Sequence, residues 1–240
     1  ETAQMTGDTL TLDAESSLAN TGTVTFTTIV ANGTIRNKGT IGSDTVNMSS
    51  LANTEDGARM IVNKELTIAD GGELTNSEGA MLYAANALST IGEDAKASNK
   101  GVAYFGTMAG ASYLNEGETV VEDLEVGADS TVTNEETLSF GTAKIEGTYT
   151  NNGEVAVGES MTILGEGAYT NNGSTAVMKD VIMQGNGTLT QADGSFTALT
   201  LDLQSGTVNV TGGEATFGAT KLAGGVLSFA GAGEEAITGS

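Results

Sequence analysis

A five-residue unit recurs along the whole chain and limits what the chain can fold into. It consists of an apolar residue, a polar residue, Asn, any residue and Gly, and an alternating segment follows it; residues 149–153 and 169–173 are its clearest copies. The apolar position advances by 209 residues over eleven intervals, which gives a mean period of 19. The twelve apolar positions are Leu18, Ile35, Leu51, Leu74, Ala97, Tyr113, Val132, Tyr149, Tyr169, Leu189, Val208 and Leu227.

This period is typical of a repeat protein whose units cannot fold alone. Each unit holds three short alternating segments separated by Gly or Asn, and no helical period is present. One unit cannot bury its own apolar face, whereas stacking on the next unit can bury it. The sequence therefore predicts an all-β fold: a right-handed parallel β-helix, or β-solenoid, of about 12 coils of ~19 residues with three short strands per coil, forming a single domain over residues 1–240.

Asn and Gly occupy fixed places in the unit. Asn lies two residues after the apolar position in nine coils, and Gln191, Val210 and Phe229 replace it in the last three. We expect the Asn residues to adopt positive φ at coil corners and to hydrogen-bond to one another along the stack. After residue 190 the corners are richer in Gly, which predicts looser turns. Gly follows Asn by two residues at Gly22, Gly39, Gly101, Gly117, Gly153 and Gly173.

The repeat is least regular between residues 81 and 113. Two successive intervals, Asn53 to Asn76 and Asn76 to Asn99, are four residues longer than the mean. We expect enlarged corner loops in the Ala-rich stretch 81–100, with a short helical turn. The densest aromatic group of the chain also lies here, and it predicts either core filling or an exposed patch that contacts a sugar or a protein partner. Its members are Tyr83, Tyr104, Phe105 and Tyr113.

Composition excludes several classes of function. The chain has 34 Gly and no Pro, Cys or His, and its formal net charge is −22. Nine basic residues are scattered singly, so we expect no nucleic-acid binding. No apolar run is long enough to span a bilayer, so we expect no membrane insertion of this segment. The acidity is consistent with a soluble secreted protein, with calcium binding as the alternative, although no Asp-x-Asp-x-Asp-Gly loop is present.

The residues that most often carry catalysis are missing. Without His or Cys, Ser-His and Cys-His nucleophiles are excluded. Paired carboxylates can hydrolyse glycosides, but the candidate pairs are adjacent in sequence, so we expect them to face opposite sides of a strand or to be solvated at a corner. We therefore expect no enzyme, no catalytic residue and no resident cofactor. The candidate pairs are Glu122 and Asp123, Glu135 and Glu136, and Glu234 and Glu235.

Four successive coils carry Thr between the apolar residue and the next polar position. These residues, Thr133, Thr150, Thr170 and Thr190, are expected to form an outward ladder. Ice-binding solenoids present stacked Thr on a flat parallel sheet, although Thr is also a favoured β-forming residue. The ladder is broken in preceding coils by Arg36, Ala52 and Leu114.

The repeated units at 74–79, 132–136, 149–153 and 169–173 resemble those of β-solenoid passenger domains from bacterial autotransporter adhesins, including the self-associating, AIDA-type and haemagglutinin-like proteins. The resemblance covers the whole chain and carries no functional residue with it. It implies an extracellular or cell-surface protein, and a processed passenger or a fragment of one.

These observations together predict a non-enzymatic surface adhesin that associates with itself or attaches to a host or glycan surface through its lateral faces. Two alternatives remain open. One is a carbohydrate-active or glycan-binding β-helix, for which two carboxylates and stacked Tyr should meet in a groove. The other is a filament subunit that assembles through open coil ends, because exposed strand edges invite pairing.

Overall fold

The computed structural model describes residues 3–230, except for the side chain of residue 111. The fold is all-β: parallel strands stack as a β-solenoid of about 12 turns, ~19 residues apart. The described residues contain no helix, and so they contain no helix long and apolar enough to cross a membrane. The chain divides into two compact units, Glu1–Glu122 and Asp123–Ser240.

The strands of the first unit are mostly long and bend through successive corners. Thr23–Asn37, for example, pairs with the next strand in three separate segments. The strands are β1 (Gln4–Leu12), β2 (Ser17–Asn20), β3 (Thr23–Asn37), β4 (Thr40–Asn53), β5 (Arg59–Asn76), β6 (Met81–Asn99), β7 (Val102–Asn115) and β8 (Glu118–Asn134), the last of which continues past residue 122.

The strands of the second unit are shorter and alternate between four residues and nine or ten. They are β9 (Thr137–Ile145), β10 (Thr148–Asn151), β11 (Glu154–Ile163), β12 (Ala168–Asn171), β13 (Ser174–Met183), β14 (Thr188–Gln191), β15 (Ser195–Leu203), β16 (Thr207–Val210), β17 (Glu214–Leu222) and β18 (Val226–Phe229).

Each coil contributes to three parallel ladders. In the coil that begins at Thr148 these are the first ladder (148–151), the second (154–157) and the third (160–163), each paired with the matching segment of the next coil. Alternation places Tyr149, Val155 and Val157 inside, where they are buried. The predicted three segments per coil are therefore confirmed, although many of them join into one bent strand.

The twelve-fold apolar series lines the first ladder on its inner side. Successive members are paired residue to residue within each unit, as with Leu18 and Ile35 or Tyr149 and Tyr169. All but Leu18 and Leu227 are buried. In the second unit, aromatic rings continue this core along the stack: the ring centroids of Tyr149 and Tyr169 lie 5.0 Å apart, and Phe196 follows at 6.2 Å from Tyr169.

The predicted Asn ladder is present in both units. Asn37 Nδ2 donates to Asn53 Oδ1 at 2.8 Å, and Asn151 Nδ2 donates to Asn171 Oδ1 at 2.7 Å. Gln191 extends the Asn ladder, since its Oε1 accepts a hydrogen bond from Asn171 Nδ2 at 2.7 Å. These amides are buried, and both their oxygen and nitrogen atoms form hydrogen bonds, so the Asn ladder holds the coils together.

The conformation predicted for the Asn corners is wrong. Among the described residues, only Glu55 and Asp94 combine a side chain with positive φ. The Asn residues keep extended backbones and cap the corner with their side chains instead: the backbone N–H of Gly153 donates to Asn151 Oδ1 at 3.1 Å. The Gly two residues after Asn is required by close approach between coils, because a Cβ at Gly173 would lie 2.1 Å from the carbonyl oxygen of Gly153.

The corner that follows Gln191, where the Asn is replaced, is longer than the corner in the preceding coil and contains a residue with positive φ. Three residues, 192–194, separate the first and second ladders after Gln191, compared with two after Asn171. The added length is accommodated by Gly194, whose φ is 67°. The corners between the first and second ladders therefore gain one residue after Gln191 and Val210, whereas the corner between the third and first ladders after Leu203 has three residues, one fewer than after Met183.

The irregular stretch 81–100 contains enlarged corners but no helical turn. Met81–Asn99 is a single strand that pairs with both neighbouring strands, and register shifts place the additional residues at 85–87 and 92–95. Its Ala residues, such as Ala84 and Ala97, alternate into the core. Parallel pairing on both sides therefore overrides the helix propensity of Ala.

Candidate functional site

The predicted aromatic patch is divided between the core and the surface of the first unit. Phe105 and Tyr113 are buried, and their rings meet edge to face at 6.1 Å, so the structure contradicts their assignment to a contact patch. Tyr83 and Tyr104 point outward and are half-buried, with ring centroids 5.7 Å apart. The reason is that successive side chains of a strand point to opposite faces of the sheet, so the neighbours Tyr104 and Phe105 cannot share a face.

Aliphatic side chains extend the Tyr83–Tyr104 pair into a larger outward surface. Ile61 pairs with Tyr83 one coil away, and Met81 pairs with Val102 beside the two tyrosines. All five side chains lie on the outer side of the second ladder and are half-buried. We call this set the apolar face: Ile61, Met81, Tyr83, Val102 and Tyr104.

The apolar face interrupts a row that is polar in the preceding coils. The outward positions of the same ladder are Thr23 and Thr25 in β3 and Thr40 and Gly42 in β4. Arg59, which pairs with Met81, is exposed at the edge of the face. This change in composition makes the surface a candidate contact site, because contiguous outward apolar side chains are a common feature of interaction surfaces.

The predicted Thr ladder is confirmed as a feature of the second unit. Thr133, Thr150, Thr170 and Thr190 are paired residue to residue on the first ladder and are half-buried on its outer side. Asn209 and Ser228 continue the row in the last two coils. No register shift interrupts the row within these pairings.

A second row runs beside the first, two residues earlier in each strand. It contains Thr131, Thr148, Thr188 and Thr207, with Ala168 and Val226 at the remaining positions. We call the two rows together the Thr face. It carries no charged residue, although the chain has a net charge of −22.

A shallow depression of about 330 Å³ opens in the first unit beside the second ladder. It forms where Gly42 takes an outward position between Thr25 and Ile61. Because Gly has no side chain, this place in the outer row of the second ladder is left open. Its carboxylate is Asp44, which accepts hydrogen bonds from Lys64 at 2.8 Å and Asn63 at 3.1 Å. These donors, Lys64 first, hold the pKa of Asp44 below its usual value.

The candidate carboxylate pairs form no site in the part of the chain that the structure describes. Glu135 and Glu136 are both exposed at a corner, and Asn152 donates to Glu135 at 2.8 Å. Glu234 and Glu235 lie outside the described residues. Within residues 3–230, no group of three or more acidic side chains could hold a metal ion.

The sequence pattern indicated the two tyrosines of the apolar face but not its three other members. The signal was present, because Ile61, Met81 and Val102 each alternate with buried neighbours at Met60, Leu82 and Ala103. This alternation is hard to recognise in the sequence, because corners of different length change the spacing between equivalent residues of successive coils.

No protein-family model, curated protein sequence or solved structure matches the chain.

Proposed function

We propose that the chain is a non-enzymatic adhesion module of a bacterial surface protein, and that it associates with a second copy of itself through the apolar face. The observation that carries the proposal is the cluster of Tyr83, Tyr104 and three other apolar side chains on an outer row that carries Thr and Gly in the two preceding coils. Tyr and Met are enriched at protein interfaces because they supply large contact areas, and Tyr adds a polar tip.

Charge shapes how such an association depends on salt. Two copies, each with a net charge of −22, repel one another at low ionic strength. Salt screens this repulsion, whereas it leaves the burial of apolar side chains intact. We therefore expect the association to strengthen with added salt. A contact built on ion pairs would weaken instead.

Glycoside hydrolysis receives no comparable support from the site geometry. That chemistry needs two carboxylates that face each other across a cleft. The depression beside Gly42 offers one, Asp44, and it is already paired with Lys64. The two outward tyrosines lie on different coils from Asp44.

The experiment is sedimentation velocity of the full chain at several salt concentrations. The test variant is Tyr83→Ser/Tyr104→Ser, and the matched control is Leu88→Ser, which removes a side chain that is 51% exposed on the third ladder of β6. We expect the parent and the control to associate increasingly with salt, and the double variant to remain monomeric. Far-UV circular dichroism melts verify that each variant folds.

Other results would reject the proposal. A parent that stays monomeric at every salt concentration excludes self-association; binding to a glycan array that is lost in the tyrosine variant would then identify attachment instead. Association that persists unchanged in the tyrosine variant would transfer the contact to another surface, such as the coil ends.

A further inference from the structure

The Thr face has a second unusual property besides its lack of charge. Within the described residues, the eight Thr hydroxyls of this face make no hydrogen bond to the protein. Elsewhere in the second unit an outward hydroxyl is engaged: Thr142 Oγ1 donates to Asp123 Oδ1 at 2.6 Å. Each hydroxyl of the face can therefore donate and accept toward solvent.

The parallel sheet fixes these hydroxyls in a two-dimensional array. Neighbouring coils place equivalent residues about 4.8 Å apart, and residues two apart in one strand are about 6.6 Å apart. The row from Thr133 to Ser228 spans six coils without a register shift. The array therefore repeats regularly in two directions, as a crystal surface does.

The chemistry of the face favours ordered water over other occupants. It contains no aromatic ring on which a sugar could stack and no charged group for an ionic partner. A protein dimer through this face alone would bury roughly 300 Å² per chain, as judged from strand spacing, compared with about 800 Å² per partner in stable interfaces. Outward hydroxyls hold first-shell waters by hydrogen bonds, and such waters can bridge neighbouring hydroxyls.

We propose that the Thr face binds ice. Waters held by the hydroxyls of Thr150, Thr170 and their neighbours adopt the spacing of the ice lattice, and the chain adsorbs to a growing crystal through them. This activity uses the second unit and does not depend on the apolar face of the first.

The test is the incorporation of the full chain into a slowly growing ice front, together with inhibition of ice recrystallisation. The variants Thr170→Lys and Thr150→Lys place a long charged side chain in the centre of the face. The matched control, Thr197→Lys, adds the same group at an exposed outward position of the second ladder. Circular dichroism melts establish that all three fold.

We expect the parent and Thr197→Lys to concentrate in the ice, and the two face variants to drop severalfold, to the level of an acidic protein that does not bind ice. A parent that is excluded from ice like that protein overturns the proposal. Equal loss in Thr197→Lys and Thr170→Lys also overturns it. So does a parent without any ice signal whose oligomer is dissociated by Thr170→Lys, since the face is then a protein contact.

Discussion

The hydroxyl of Tyr169 lies 2.7 Å from Oγ1 of Thr175 in the core of the second unit. Thr175 donates its own proton to Asn171 Oδ1 at 2.8 Å, so the tyrosine is the donor of the first bond. Asn151 Nδ2, one coil away, donates to the same Thr oxygen at 3.2 Å. One buried hydroxyl thus connects the aromatic core to the Asn ladder across two coils.

The first unit contains the same arrangement. Tyr113 contacts Thr119 at 2.7 Å, Thr119 donates to Asn115 at 2.7 Å, and Asn99 donates to Thr119 at 3.0 Å. In both copies Thr follows Tyr by six residues, which places it on the inner side of the second ladder. The recurrence indicates that this buried Tyr–Thr–Asn network is a regular structural element of the coil, since its members hydrogen-bond to one another.

We predict that Thr175→Val destabilises the protein by about 2–3 kcal/mol. The substitution keeps the shape but leaves the Tyr169 hydroxyl buried without its partner, and an orphaned buried group costs about 1–3 kcal/mol. Urea unfolding measures the change. Thr170→Val, on the outer side of the preceding strand, should change stability by no more than about 0.5 kcal/mol.

A double variant separates the hydrogen bond from simple packing. Tyr169→Phe/Thr175→Val removes both partners, so its cost should be smaller than the sum of the single costs by about 1 kcal/mol. Strict additivity would mean that the two hydroxyls do not interact in solution.

We predict that stability falls at alkaline pH because of the two buried tyrosines. Burial raises the pKa of Tyr113 and of Tyr169 above the usual value of 10.0, and the hydrogen bond with Thr only partly opposes this. In the unfolded chain these groups lose their protons near pH 10, while the folded chain still retains them. Their contribution is therefore complete below pH 10 and is lost as the pH rises above it.

The expected slope is about 1.4 kcal/mol per pH unit for each tyrosine that is neutral only in the folded state. Urea midpoints at pH 8, 9, 10 and 11 give this slope. The variant Tyr113→Phe/Tyr169→Phe keeps the general charge repulsion and should decline less steeply. If the parent and the variant decline in parallel, the tyrosines are not the cause.

The fold could be predicted from the sequence because the repeat reports buried positions directly. Tyr149 and Leu189 occupy equivalent places in the period, and both lie inside. The corner geometry could not be predicted, because an Asn side chain that caps a corner and an Asn backbone with positive φ leave the same pattern in the sequence. Gly173 is likewise ambiguous: close approach and positive φ both require Gly.

The alternation of side chains along a strand is sufficient, from the sequence alone, to separate the buried members of the aromatic group from the outward ones. Tyr113 belongs to the apolar series, which predicts that it is buried, so its inclusion in a contact patch contradicted the repeat. Tyr104 and Phe105 are adjacent and cannot share a face. The repeat does not show how the unequal corners align: four residues separate Asn76 from Met81 and two separate Asn99 from Val102, yet Met81 and Tyr83 pair with Val102 and Tyr104.

We predict that Asn151→Ala costs about 2–4 kcal/mol, whereas the adjacent Asn152→Ala costs less than about 0.5 kcal/mol. Asn151 is buried and bonds to Asn134, Asn171 and the carbonyl of Ser174. Asn152 is exposed. Thermal and urea unfolding of the two variants compare the inner and outer amides at one corner, and equal effects would contradict the assignment of Asn151 to the core.

We predict that Gly173→Ala is strongly destabilising and that Gly158→Ala is not. At Gly173 the new Cβ would lie 2.1 Å from the carbonyl oxygen of Gly153, so two coils must separate locally and weaken the ladder between them. At Gly158 the nearest atom is 3.8 Å away, and φ lies outside the left-handed region. Gly158→Ala should therefore stabilise by about 0.4–1 kcal/mol, because it restricts the unfolded chain. Urea midpoints that shift in opposite directions would establish that inter-coil contact, and not backbone conformation, selects Gly after the Asn; a Gly173→Ala variant as stable as the parent would refute this.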